Sequence, residues 1–147
     1  MAKTKVVSMR MEANQEHRLE QMARRLSRSP SETGAMLVEE GLRRSEFAFI
    51  DFRDTAAGRQ AFLQGTRLSV WMVVKLARLY RHDVKRTAAH LERSALQIQA
   101  ALNYAKAFPE EIEAAIEETQ SCFAKLSNLL PQAELFVAGE SGGKPRK

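Results

Sequence analysis

Hydrophobic and polar positions alternate with period two over residues 5–11, KVVSMRM, and then the period changes. In an extended chain Val7, Met9 and Met11 fall on one side and Val6, Ser8 and Arg10 on the other, which is the pattern of a β-strand. Further on, Leu19, Met22, Ala23 and Leu26 recur at i, i+3, i+4 and i+7 and form one apolar helix face. Asn14 is the expected N-cap of that helix. The run SRSPSE at 27–32 ends it; Pro30 suits the first position of a second helix and Ser29 the cap before it. In the second helix Gly34, Leu37, Val38, Gly41 and Leu42 share a face. Two glycines there cost roughly 1 kcal/mol each in helix propensity, which a closely approaching second backbone would explain.

The pattern restarts near Phe47. FAFIDFRDT (47–55) alternates, residues 60–63 form another short extended piece, and Gly65 marks a turn, so a small hairpin is expected. Val70, Val73, Val74, Ala77, Leu79 and Tyr80 read as a mostly buried helix. Asp83 can cap a helix ending near Leu91, and a break at Glu92-Arg93-Ser94 leads to another from about Ala95, with Ile98, Leu102 and Ala105 on one face. Two short helices around a tight break have helix-turn-helix geometry, over about 84–91 and 95–105. Pro109 starts a further helix whose early Glu110, Glu111 and Glu113 suit its positive end. The last stretch, 122–147, keeps Phe123, Leu126, Leu129, Leu130, Leu135, Phe136 and Val137 with little core left to fill, and ends in SGGKPRK, a basic tail of flexible composition.

The opening strand has no partner nearby in sequence, and an unpaired edge is costly. Forty-odd residues also make too small a core to fold alone without a staple or partner. A second copy answers both needs, pairing strand with strand and helix with helix. The alternative is that the strand joins a larger sheet within one chain. The expected organisation is a dimerisation module at 1–46, a second domain at 47–121 and an arm with a tail at 122–147.

Composition changes this picture in one respect. The 147 residues carry a net charge of +5, with a pI near 9.7, which favours a polyanionic partner. Residues 59–93 hold eight Lys/Arg against two carboxylates, whereas residues 108–140 hold seven Glu against one Lys. Two segments of opposite sign imply two different surfaces. One cysteine, Cys122, excludes a disulfide framework and suits a cytoplasmic setting. The N-terminus lacks the apolar core of a signal peptide, and no apolar run would cross a bilayer, so no membrane partner is expected.

Candidate chemistry is sparse. His17, His82 and His90 have no metal-ligand spacing, Cys122 has no nucleophile signature, and GESGGK lacks the spacing of a phosphate-binding loop. EEIEAAIEE fits a surface helix better than a cation site. No catalytic residue, metal or cofactor is expected.

Two resemblances give the modules a function. KVVSMRM followed by NQEHRLEQMARRLSRSPSETGAMLVEEGL resembles the ribbon-helix-helix fold of the Arc/MetJ/CopG repressors over residues 3–44. Such repressors insert a paired ribbon into the DNA major groove. The resemblance implies that Lys3, Lys5, Val6, Ser8 and Arg10 lie at DNA, with Arg10 reading guanine. It also implies that Arg28, Ser29 and Ser31 hold a phosphate at the start of the second helix. Val6 departs from the usual polar residue and is left an apolar contact to a thymine methyl. The second resemblance, over residues 49–119, is to a bacterial family marked by a G-T-R-[IL]-x-V motif, here Gly65, Thr66, Arg67, Leu68 and Val70, with ALNYA further on. That family recurs in VapB-type antitoxins, whose toxins are commonly PIN-like ribonucleases. Together they imply a mainly α protein with small β elements: a ribbon-helix-helix dimer, or higher oligomer, fused to a helical helix-turn-helix-like domain with a short hairpin. The implied function is an antitoxin and operon autorepressor that binds operator DNA and neutralises a ribonuclease. The candidate toxin contacts are Arg67 with Phe123, Leu126, Leu129, Leu130, Leu135 and Phe136. Arg67 either fixes its loop through backbone carbonyls or points at acidic groups of the toxin, and the arm either meets the toxin or packs back on its own chain. A stand-alone transcription regulator with a ligand-sensing or oligomerising second domain is the alternative.

Overall fold

The computed structural model describes residues 3–129. Its elements are α1 (Ala13–Arg25), α2 (Pro30–Glu46), β1 (Ile50–Thr55), β2 (Gly58–Leu63), α3 (Val70–Leu79), α4 (Val84–Leu91), α5 (Ala95–Ala107) and α6 (Pro109–Leu129). The protein is mainly helical, with a small two-stranded antiparallel sheet. Among the described residues no helix is long and apolar enough to cross a membrane.

The hairpin follows from alternation and one turn. Ile50 pairs with Leu63 and Phe52 with Ala61, and all four side chains are buried on one face. Thr55 pairs with Gly58, leaving Ala56-Ala57 as the loop. Gly58 has φ +102°, a conformation that disfavours a side chain. The Thr55 hydroxyl donates to the Gly58 carbonyl at 2.8 Å and accepts from the Ala57 N–H at 3.2 Å, closing the turn.

The inner face of the hairpin meets α3 and α5. Val70, Val73, Val74 and Ala77 of α3 are buried, as are Ile98, Ala101 and Tyr104 of α5 and Ile112 and Ile116 of α6. Leu79, expected in this core, is largely exposed; it lies in the last turn of α3, past the last buried position, Ala77. Phe47 and Phe108 pack edge-on and tilted against the Tyr104 ring, with centroids 5.5 and 4.9 Å away. These three rings close the core on the α2 side.

Residues 3–46 are built differently. Residues 3–12 adopt no regular secondary structure and pair with no strand among the described residues, so no ladder for the predicted ribbon forms among them. Val6 and Val7 are 93% and 81% exposed. The α1 cap is Glu12 rather than Asn14: Glu12 and Gln15 form a reciprocal capping box, which Asn14 inside the helix cannot do. On α2, Ser29 and Glu32 form the predicted start, with Pro30 inside it. Ala23 is the sole buried hydrophobic side chain between residues 3 and 46. Val38 and Leu42 are exposed, and a Cβ on Gly41 would meet nothing within 4 Å. Among the described residues no second backbone explains that glycine.

Helix α6 runs unbroken through residues 121–122. Phe123, Leu126 and Leu129, the start of the expected arm, continue α6. Leu130, Leu135 and Phe136 lie outside the described residues.

Candidate nucleic-acid and partner interfaces

The start of α2 shows how much of the expected phosphate site survives capping. The Glu32 N–H donates to the Ser29 Oγ at 3.1 Å, and the Ser29 N–H donates to the Glu32 carboxylate at 3.1 Å. Pro30 has no N–H, so the Ser31 N–H is the first one left over. A helix start offers several free N–H groups in principle; here the capping box takes the Glu32 N–H and leaves that of Ser31. Arg28 is exposed, and its guanidinium reaches the Met36 sulfur at 3.5 Å.

Arg10, Lys3, Lys5 and Ser8 are exposed on the N-terminal segment. Arg10 and Arg18 rim an open groove of about 690 Å³ between that segment and the helices, floored by Met9, Met11, Leu19 and Leu37.

Residues 3–46 and the hairpin domain are joined mainly by charge. Arg59 of β2 grips Glu40 of α2 through two hydrogen bonds, 2.6 and 2.8 Å, and reaches Asp54 at 3.0 Å. Glu40 is almost fully buried. The hydrogen bonds of Glu40, working against burial, raise the Arg59 pKa further above its already high ordinary value. A second junction centres on Arg43. Its guanidinium lies 3.7 Å over the Phe108 ring and donates to the Tyr104 hydroxyl at 2.7 Å and to Glu111 at 3.1 Å. Tyr104 in turn donates to Glu111 at 2.7 Å. Burial, then the bond and charge of Glu111, push the Tyr104 phenol well up, with Arg43 pulling the other way. Sequence reasoning missed this cluster because its members are 61 and 68 positions apart and no local pattern links them.

The GTR loop is fixed by its neighbours and not by Arg67. The Thr66 hydroxyl donates to the Leu63 carbonyl at 2.9 Å and accepts from the Leu68 N–H at 3.0 Å. Arg53 donates to the Thr66 carbonyl at 2.6 Å. Arg67 is exposed and has no hydrogen-bond partner among the described residues, so the expected carbonyl-binding role passes to Thr66 and Arg53.

The basic surplus of residues 59–93 is partly spent inside the protein. Arg59 is used as above, and Arg78 pairs with Glu113 of α6. Arg67, Lys75, Arg81, Lys85, Arg86 and Arg93 form no salt bridge among the described residues, and all but Lys75 are exposed. Residues 84–107 adopt a helix, a tight turn and a helix. Asp83 caps α4 by accepting from the Arg86 N–H at 3.0 Å. Glu92 then takes the left-handed conformation, φ 53° and ψ 45°, and Ser94 caps α5 through a box with Gln97.

On α6, Phe123, Leu126 and Leu129 are exposed, the last by 75%. No group of three or more potential metal ligands occurs among the described residues. No family model, curated protein or solved structure matches the chain.

Proposed function

We propose that the chain is the antitoxin of a type II toxin–antitoxin pair, dimerising through residues 3–46, binding operator DNA as an autorepressor, and neutralising a ribonuclease through α6 and residues beyond it. The observation that carries this reading is that residues 3–46 bury a single hydrophobic side chain while leaving Val6, Val7, Met9, Met11, Val38 and Leu42 exposed. That is half of a core. A second copy completes it: strand 5–11 pairs with itself, satisfying both backbones, and two α2 helices bury Val38 and Leu42 against each other. A ribbon built so presents Val6, Ser8 and Arg10 to the major groove, while Arg28 and the Ser31 N–H take a phosphate. The exposed Phe123, Leu126 and Leu129 supply an apolar anchor for a protein partner.

The test joins assembly to binding. The full chain should be a dimer at micromolar concentration by light scattering, and should co-purify with the product of its neighbouring gene. Arg10→Ala should weaken operator binding by about 1–3 kcal/mol and relax one base position. Truncation after Ser121 should keep operator binding and lose the neighbour. A monomeric full chain, or a truncation that keeps the neighbour and loses DNA, would overturn the reading.

A further inference from the structure

The apolar side of α5 needs no partner from outside, because the chain already supplies one. Ile98, Ala101 and Tyr104 are fully buried in the domain's own core, and Leu102 and Ala105 are half-buried against it. What remains outside is a stripe of steps of three and four, Leu96, Gln99, Asn103 and Lys106, all exposed and polar but for the leucine. The segment ALQIQAALNYAKA contains no carboxylate, although α6 after it is rich in them. Within the stripe, Gln99 donates to the Asn103 side-chain oxygen at 2.9 Å. That bond orients both amides and leaves the Gln99 oxygen to accept and the Asn103 nitrogen to donate. One acceptor beside one donor matches the N6 and N7 edge of adenine, and Leu96, 71% exposed, matches a thymine methyl.

The flanks of the pair carry unspent positive charge. Before α4, Arg81 and His82 both adopt positive φ, 53° and 61°, which side-chain-bearing residues disfavour. Between α4 and α5, Glu92 does the same and Arg93 follows it, exposed. Arg86 lies with its guanidinium 5.6 Å from the centre of the Tyr80 ring, and the Tyr80 hydroxyl meets His90 Nδ1 at 2.7 Å, so the arginine is held in place. None of Arg81, Arg86 and Arg93 forms a salt bridge among the described residues.

We infer that the α4–α5 pair is a second nucleic-acid interface, with the Leu96–Gln99–Asn103 face of α5 in the major groove of duplex DNA and Arg81, Arg86 and Arg93 on the flanking phosphates. In such a docking α4 crosses the DNA backbone while α5 enters the groove. Charge and side-chain chemistry select DNA over a protein partner, because the face is amide-bearing and cationic rather than apolar. The inference does not require residues 3–46 to touch DNA.

The test uses the full chain and duplex DNA. Binding to mixed-sequence duplex is measured over a salt series for the parent, for Arg81→Ala/Arg86→Ala/Arg93→Ala, for Arg86→Lys and for Arg10→Ala. Each arginine removed from a phosphate should reduce the slope of log K against log salt by about 0.9, so the triple variant should fall by nearly three while Arg86→Lys keeps the parent slope. Selection from a random duplex pool then compares the parent with Gln99→Ala/Asn103→Ala; the variant should lose its A·T preference at one or two positions and bind its former best site roughly tenfold or more weakly. Circular dichroism must stay unchanged, which exposed positions permit. A parent-like slope in the triple variant together with parent-like selection in the amide variant would overturn the inference, as would a full chain that ignores duplex DNA. A slope altered by Arg10→Ala and by no other variant would leave the ribbon standing and this interface disproved; the reverse pattern would do the opposite.

Discussion

Residues 3–46 and residues 47–129 are both made of capped, regular elements, yet they differ in what they enclose. The first region buries one hydrophobic side chain, Ala23; the second buries fourteen, from Ile50 through Ile116. Burial of apolar area stabilises by roughly 25 cal/mol per Å², so the second region has a core that sustains itself and the first has none of consequence. Capping and helix propensity are worth only about a kilocalorie per site and do not close that gap. Good local structure is therefore no sign of an independent fold. The first region is held by what it touches: the hairpin domain through Arg59 and Arg43, and, in the proposed dimer, a second copy.

The largest effect should come from cutting the charged junction. Glu40 is nearly buried, and Arg59 satisfies both of its oxygens. Arg59→Ala leaves that carboxylate buried and unpaired, which should cost about 3–5 kcal/mol in urea unfolding. Replacing both, Glu40→Leu with Arg59→Leu, should recover most of the loss, since no charge is then left without a partner. If Arg59→Ala were neutral, the two regions would not be joined there, and the comparison would become one between independent domains.

Local chemistry was readable from the chain and distant chemistry was not. Ser29, Pro30 and Asp83 announced their helices because a cap acts within three residues. The hairpin and the break at Glu92-Arg93-Ser94 followed from alternation and helical period. The α1 cap was misplaced because Asn is a strong cap former and Glu12 works only through its pairing with Gln15. No break falls at 121–122: TQSCFAKLSN contains no proline or glycine to stop a helix. Arg67 drew attention as the charged member of its motif, whereas a short hydroxyl, Thr66, reaches the loop carbonyl that matters. Glu40 and Arg59, and Arg43 and Tyr104, meet only after folding. Whether a second copy covers Val38 and Leu42 is a property of two chains, and no periodicity in one chain can state it.

A smaller effect tests the second junction by pH. The Tyr104 phenol is raised above its ordinary 10.0, by burial first and by Glu111 second. A folded-state value above the unfolded one means that the neutral phenol contributes stability below about pH 10, and that this contribution is lost as pH rises through the folded value. Tyr104→Phe should cost about 1–2 kcal/mol near neutrality through the lost hydrogen bonds to Arg43 and Glu111. The gap between parent and variant should then narrow above pH 10, because only the parent has a phenol to ionise. No gap at any pH would mean that Tyr104 contributes packing alone, and the Arg43 cluster would drop out as a link between the regions.

The smallest effect bears most directly on the missing half of the core, because there the sign carries the information. Gly41 sits within α2, exposed, with no atom within 4 Å of where a Cβ would be. In an isolated chain Gly41→Ala should stabilise by about 0.5–1 kcal/mol, since alanine favours the helix and restricts the unfolded chain. For a protein of this length that is roughly 1–4 °C in melting temperature. If two α2 helices pack across this face, the same methyl group meets the partner's backbone, and the cost of forcing the helices apart exceeds the gain. Melting temperature across a concentration series separates the two cases. At dilutions where the protein is monomeric Gly41→Ala should melt above the parent, and where the dimer dominates it should melt below. The crossing point should track the dissociation constant measured independently by light scattering. A variant that melts higher at every concentration, with association unchanged, would show that nothing approaches Gly41, and the second copy would have to complete residues 3–46 by some other face or not at all.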